Sequence, residues 1–300
     1  MSDLRELLAL ETVAPLHFVA RHAQLNRSGA VYGGQLLAQL ARAAELTVEG
    51  DGRQLHSLQA TFERLADVTG PIEYSVERTL DGRTESVRQV RGMQRGRLLI
   101  SACIGFGPAA AGLAHRAMWQ VPPPPPESLP PLHESASRLA AELSVHGHSR
   151  TRTYPQVELR PLDARRHLLV DPGPPLSRFW IRALSDAPAA DLPAAPLVAY
   201  LSDYLAANSV LAGHVHELPA ESLFVASLNH SLWLHAPADP ADWLYYEFES
   251  PWAGGGRALC TGRIFSRQGQ LLASVAQAVM LRPRRAQDLP LPVAGESLVL

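Results

Sequence analysis

The chain has 300 residues, 46% hydrophobic and 19% charged, a balance that fits a soluble globular protein and excludes intrinsic disorder. Its net charge is −2, with 27 basic and 29 acidic residues and no long block of either sign, which argues against nucleic acid as the main partner. All 27 are arginine; the absence of lysine removes Schiff-base and P-loop lysine chemistry.

The first residues, MSDLRELLALETV, carry acidic side chains and no long apolar run. They read as neither a signal peptide nor a membrane span, and a cytoplasmic location is expected. Residues 33–46, GGQLLAQLARAAEL, hold their apolar positions at helical spacing and run toward the turn Gly50-Asp51-Gly52. Four strand-like runs follow, near 54–64, 71–80, 84–94 and 97–106, the last two joined by a tight hairpin at Arg95-Gly96. The stretch VPPPPPESLPP (121–131) predicts extended polyproline-like chain, and an amphipathic helix is expected from His133 to Val145. A second helix is expected over 194–208, apolar on almost every side and therefore buried. Strands near 223–235, 243–251, 257–267 and 270–281 complete the order, with a turn at Gln268-Gly269. Cys103 and Cys260 sit in separate strand-like runs; two lone cysteines make neither a disulfide framework nor a zinc site, and both are expected to be buried free thiols.

The second half echoes the first. The triplet His-Ser-Leu occurs at 56–58 and 230–232, an offset of 174. Glu73-Tyr74 meets Glu247-Phe248 and Gly82-Arg83 meets Gly256-Arg257 at that offset, while GRLLIS (96–101) and GQLLAS (269–274) match at 173. A near-constant offset across four matches indicates an internal duplication. A helix followed by consecutive antiparallel strands, made twice, predicts an α+β fold of two long-helix-plus-sheet repeats, the double hotdog arrangement. The expected organisation is a repeat at 1–115, a proline-rich crossover with a short helix at 116–153, a second repeat at 154–285 and a tail at 286–300.

Matching positions of a purely structural repeat should have similar polarity, and three places break that rule. Gln277 lies in the apolar run LLASVAQAVML, opposite Ile104 at the 173 offset, and a buried amide demands partners. Asp203 lies on the buried-type helix, where a carboxylate stays charged only if hydrogen-bonded. Ser227 aligns at 174 with Arg53. Taken one at a time, a strand Gln, a helix Asp and a strand Ser are each satisfied by an ordinary structural role.

The ordered segments VYGGQLLAQLARAA, LHSLQATF, VELRPL, FWIRA, LSDYLAANSVL, SLNHSLWLH and LLASVAQAVM resemble the type II acyl-CoA thioesterases. The resemblance runs over roughly residues 10–110 and 155–282, and the proline-rich crossover adds nothing to it. It implies a double hotdog hydrolase that cleaves acyl-CoA without a covalent intermediate, needs no cofactor and associates into dimers or tetramers. It also implies a catalytic group of Asp203, Ser227 and Gln277, the three positions marked by the repeat, with Asp203 as base and the other two orienting a water. Gly34 of YGGQ is a candidate oxyanion donor at a helix N-terminus. The sequence departs from the family pattern at Asn229, where Asp is usual, at Arg64-Leu65-Ala66 and at DGRTES (81–86).

Two rivals share the fold: an acyl-CoA hydratase or dehydratase, which the lack of an Asp-x4-His motif on the second helix disfavours, and a non-catalytic acyl-binding protein. No G-x-S-x-G occurs, against a serine hydrolase. The His pairs at 146–148 and 214–216 lack a third ligand, so no metal is expected, and AGGGR (253–257) reads as a turn.

Overall fold

The computed structural model describes residues 3–285 and Asp288, except 27–28, 51, 120, 146–154, 186–191, 205, 216, 218–221 and 240. The His pair 146–148, His216 and the tail other than Asp288 therefore lie outside the described residues.

In chain order the first half comprises α1 (Leu4–Leu8), β1 (Glu11–Ala14), β2 (His17–Ala20), α2 (Gly33–Glu45), β3 (Arg53–Phe62), β4 (Ile72–Asp81), β5 (Ser86–Gln94) and β6 (Arg97–Pro108). The crossover carries α3 (Leu132–Arg138) and α4 (Ala140–Val145), close to the single helix expected there. The second half comprises β7 (Val157–Pro161), α5 (Ala164–His167), β8 (Leu176–Ala183), α6 (Ala194–Ser202), α7 (Asn208–Leu211), β9 (Leu223–Leu234), β10 (Leu244–Gly254), β11 (Arg257–Ser266) and β12 (Leu271–Pro283). The eight strands and the first helix fall where their patterns place them. The second helix is shorter than the expected 194–208: it stops at Ser202, with Asp203 as its C-cap.

All twelve strands form one sheet in the order β1-β2-β4-β5-β6-β3-β9-β12-β11-β10-β8-β7. The order reads the same from both ends once each half is renumbered, so the halves are related by a local two-fold axis, and β3 and β9 pair antiparallel across it. The sheet wraps α2 and α6, which pack on each other. Leu36, Leu37, Leu40, Ala41 and Ala44 of α2 and Leu197, Val198, Tyr200 and Leu201 of α6 are buried beneath it. Burying ten or so such side chains, at about 1.5–3 kcal/mol each for the larger ones, is the driving force that sets this layer. Two polar side chains on α2 are buried with it and fully used. Gln35 donates to the Leu7 and His22 carbonyls, and Gln39 donates to Leu7 and accepts from the Tyr74 hydroxyl, which ties α1 to the helix.

Strand register revises the repeat. β3 has a bulge at His56, skipped between the Leu55–Phe106 and Ser57–Gly105 pairs. β9 has its bulge at Leu228, skipped between Ser227–Val279 and Asn229–Ala278. Bulges and strand ends (Phe62, Leu234) thus superpose at an offset of 172, not 174. Leu58 pairs with Ile104 where His230 pairs with Gln277. The two His-Ser-Leu triplets are therefore not equivalent in space: His230 corresponds to Leu58, and Ser227 to Leu55 rather than Arg53. Past the bulge a two-residue slide keeps side chains on the same face, as at buried Leu58 and Leu232, which is why a sequence match two residues off register still looks like a good one.

The polyproline expectation is met at Pro125 (φ −62°, ψ 146°) and Pro131 (φ −57°, ψ 150°), with one 3₁₀ turn at Pro126–Ser128 between them. Trp180 Nε1 donates to the Pro124 carbonyl, Arg160 donates to those of Pro126 and Leu129, and Trp119 packs edge-on against Trp180 and Tyr245. The crossover is thus fastened to the outer face of the second half. The Arg95-Gly96 turn has both residues at positive φ (51° and 72°), the geometry of a two-residue type I′ hairpin. Cys260 is buried as expected, but Cys103 is exposed: in β6 it alternates with buried Ala102 and Ile104 and faces outward.

Candidate active site

Asp203 is delivered by the end of α6, Ser227 by the start of β9 and Gln277 by the middle of β12. Gln277 Nε2 donates to Asp203 Oδ1 at 2.8 Å and to Ser227 Oγ at 2.7 Å, and Ser227 Oγ lies 3.5 Å from the same Asp203 oxygen. The three side chains that looked out of place in sequence therefore meet. They line one cavity of about 400 Å³, whose walls include Leu36, Phe62, Leu211, Phe224, Val279 and Met280.

The first half closes the cavity from the other side through the N-terminus of α2. The Gly34 amide is directed at the Asp203 carboxylate and favours its charged form, as do Gln277 and Ser227. Desolvation outweighs all three and pushes the Asp203 pKa up from 3.8 to about 6. Glycine is required here by close approach. A Cβ at Gly33 would stand 2.7 Å from Asp203 Oδ2, and one at Gly34 would stand 2.3 Å from the Tyr200 carbonyl oxygen. Gly33 lines the cavity, and the amide of Gly34, the candidate oxyanion donor, faces Asp203.

The two-fold axis carries this cavity onto a second one, of about 650 Å³, bounded by Gln54, Leu55, Phe106, Val198, Leu234 and Ala236. At the positions of Ser227, His230 and Gln277 that half holds Leu55, Leu58 and Ile104. Three aliphatic side chains offer nothing to a water or an oxyanion, so among the described residues the cluster of Ser227, His230 and Gln277 has no counterpart at those positions, although His56 and Glu85 line that cavity 2.9 Å apart.

A family model described as the acyl-CoA thioesterase N-terminal domain matches residues 21–107, and one described as its C-terminal domain matches residues 125–281. The chain belongs to the acyl-CoA thioesterase family. It is 32% identical to acyl-coenzyme A thioesterase 8 of Rattus norvegicus, over 94% of this chain and 91% of that one. It is 30% identical to acyl-CoA thioesterase 2 of Haemophilus influenzae, over 94% and 98%. The crystal structure of acyl-CoA thioesterase II TesB2 from Mycobacterium marinum superposes with a TM-score of 0.73 at 31% identity, covering 93% of this chain and 98% of that one. The protein is a thioester hydrolase with the hotdog fold of that family.

Two residues behind these three side chains were invisible to pattern reading. His230 belongs to the repeated His-Ser-Leu triplet, yet its Nδ1 lies 2.8 Å from Gln277 Oε1 and its Nε2 lies 2.9 Å from Ser202 Oγ, with the ring fully buried. Burial pushes its pKa down to about 4, so the ring is neutral. Ser202, the last residue of α6, gave no signal at all. An aligned pair of strands would have revealed the first, because His230 and Gln277 are cross-strand partners. Asn229 points the other way: its Oδ1 accepts from the Ala278 amide on the exposed face, outside the cluster. Among the described residues no group of three or more His, Cys, Asp or Glu side chains could hold a metal, and no helix is long and apolar enough to cross a membrane.

Proposed function

We propose that this thioesterase hydrolyses acyl-CoA with a single water held by Asp203, Ser227 and Gln277. The observation that carries the reading is the convergence of Gln277 and Ser227 on one oxygen, Asp203 Oδ1, in the lining of a largely apolar-walled cavity. Asp203 accepts the water's proton as the water oxygen bonds to the thioester carbonyl carbon. The tetrahedral oxyanion then collapses, the carbon–sulfur bond breaks, and the acyl group leaves as the carboxylic acid while the CoA sulfur takes the proton back from Asp203 and leaves as the thiol. A raised Asp203 pKa suits a base that must take a proton near neutral pH. Gln277 Nε2 donates to both Asp203 and Ser227, so it orients the water together with them. Gly34 is assigned to the orientation of Asp203, and the α2 N-terminus at Gly33 to the acyl carbonyl oxygen.

The apolar wall of Leu36, Phe62, Leu211 and Phe224 is assigned to the acyl chain, and Arg64 and Arg284, the cations that line the cavity, to the CoA phosphates. We further propose a cytoplasmic location, and association of the chain into dimers or tetramers, which light scattering on the purified protein tests. The reading of function is tested by thiol release from acyl-CoAs of graded chain length. Asp203→Asn and Gln277→Ala should each lose roughly 100-fold or more in kcat. Turnover within a few-fold of wild type in both would remove the assignment, and recovery of an acylated Ser227 in a single turnover would replace water attack with a covalent route.

A further inference from the structure

His230 lies behind the hydrolytic group without lining the cavity, and its hydrogen bonds leave little choice of polarity. An ionised Asp203 only accepts, so the nitrogen of the Gln277 amide must face it, as it faces Ser227. The amide oxygen then faces His230 Nδ1 at 2.8 Å, which must carry the hydrogen. In a neutral ring Nε2 is left as an acceptor, and Ser202 Oγ, 2.9 Å from it and 2.9 Å from the Ala199 carbonyl, shares its one proton between these two acceptors. Donors thus run in one direction, from Ser202 through His230 and Gln277 to Asp203. Without the Nδ1–H, the amide oxygen loses its donor, and only Asp203 and Ser227 are left to hold the amide against turning over.

The first half supplies a built-in comparison. At the same register it pairs Leu58 with Ile104, both fully buried. The scaffold accepts an aliphatic pair there, and the imidazole and the amide are absent together. We propose that His230 is a positioning residue that, backed by Ser202, locks the Gln277 amide with both N–H bonds facing Asp203 and Ser227. This rests on the reading of Asp203, Ser227 and Gln277 as the water-holding group.

The test compares kcat and KM of His230→Leu, His230→Asn and the double variant His230→Leu/Gln277→Ile, with ¹⁵N spectra of histidine-labelled wild type at pH 8. Loss of the lock should lower kcat by roughly 10- to 100-fold in His230→Leu, with KM within about twofold. His230→Asn, which returns an N–H near the Nδ1 position, should recover most of that loss. The double variant, which copies the first half's own pair, should fold like wild type and be no slower than Gln277→Ile alone. The spectra should show His230 as the Nδ1–H tautomer. An Nε2–H tautomer overturns the proposal, and so does His230→Leu with wild-type kcat, or His230→Asn as slow as His230→Leu in a protein that melts like wild type. If His230→Leu does not fold, the double variant and the tautomer decide. Failure of the functional reading looks different: Asp203→Asn would stay active whatever the tautomer of His230.

Discussion

Asp203 should make the protein trade stability for activity, and the sign of that trade follows from its pKa. An ordinary carboxylate near 3.8 becomes one near 6 in the folded chain, because burial disfavours the charge more than its three donors favour it. The folded state therefore holds the proton more tightly than the unfolded state. Below about pH 3.8 the group contributes no penalty; between about 3.8 and 6 stability falls as pH rises, and above 6 the full cost is present. At about 1.4 kcal/mol per unit, a shift of this size costs about 3 kcal/mol, and water entering the cavity makes that an upper bound. Asp203→Asn removes the titration. Its stability relative to wild type should rise by up to about 3 kcal/mol between pH 4 and pH 8, measured by urea unfolding at each pH. The same ionisation should appear in kcat/KM for acyl-CoA, which should fall about tenfold per unit below about pH 6 in wild type. A stability difference that stays flat from pH 4 to 8, or hydrolysis undiminished at pH 4.5, would refute the reasoning.

Other substitutions probe the walls of the site. Gly33→Ala places a Cβ 2.7 Å from Asp203 Oδ2, so the carboxylate must yield by several tenths of an ångström; kcat should fall roughly 10- to 100-fold with little change in melting temperature. Ser227→Thr keeps the hydroxyl and should retain more hydrolysis than Ser227→Ala, read as thiol release under saturating substrate. Away from the site, Arg88 has a side chain only 1% exposed and donates to the Thr47 and Leu80 carbonyls and to Asp81. Arg88→Met should destabilise the fold by about 2–4 kcal/mol in denaturant unfolding, since it strands buried carbonyls.

Much of the site was legible because an amide in an apolar strand and a carboxylate on a buried helix are costly anomalies. Gln277 was found for that reason, and its counterpart Ile104 is the one the register gives. Ser227 was found through a wrong counterpart, since the residues skipped at His56 and Leu228 set the true register and bulges leave no mark in composition. The same slide made His230 look like an echo of His56, which in space bonds Glu85 near the surface. Strands β1, β2 and β7 are four or five residues long and offer little pattern: β1 is all exposed, with no apolar alternation to detect, whereas β8 has eight residues and pairs on both sides. The outward face of Cys103 was lost in the near-continuous apolar run of its strand.

The pairing of β3 with β9 has a consequence for how such a site can change. Were the two halves separate copies of one gene product, every substitution would be made twice, and a base gained in one cavity would appear in its mirror image. Covalent linkage lifts that constraint. Leucines and isoleucine can fill one cradle while hydroxyl, imidazole and amide fill the other, each set selected on its own. The first half is still not spare: at its helix N-terminus Gly33 lines the cavity of Asp203 and the Gly34 amide meets that carboxylate, so a lesion there reaches a side chain encoded about 170 residues away.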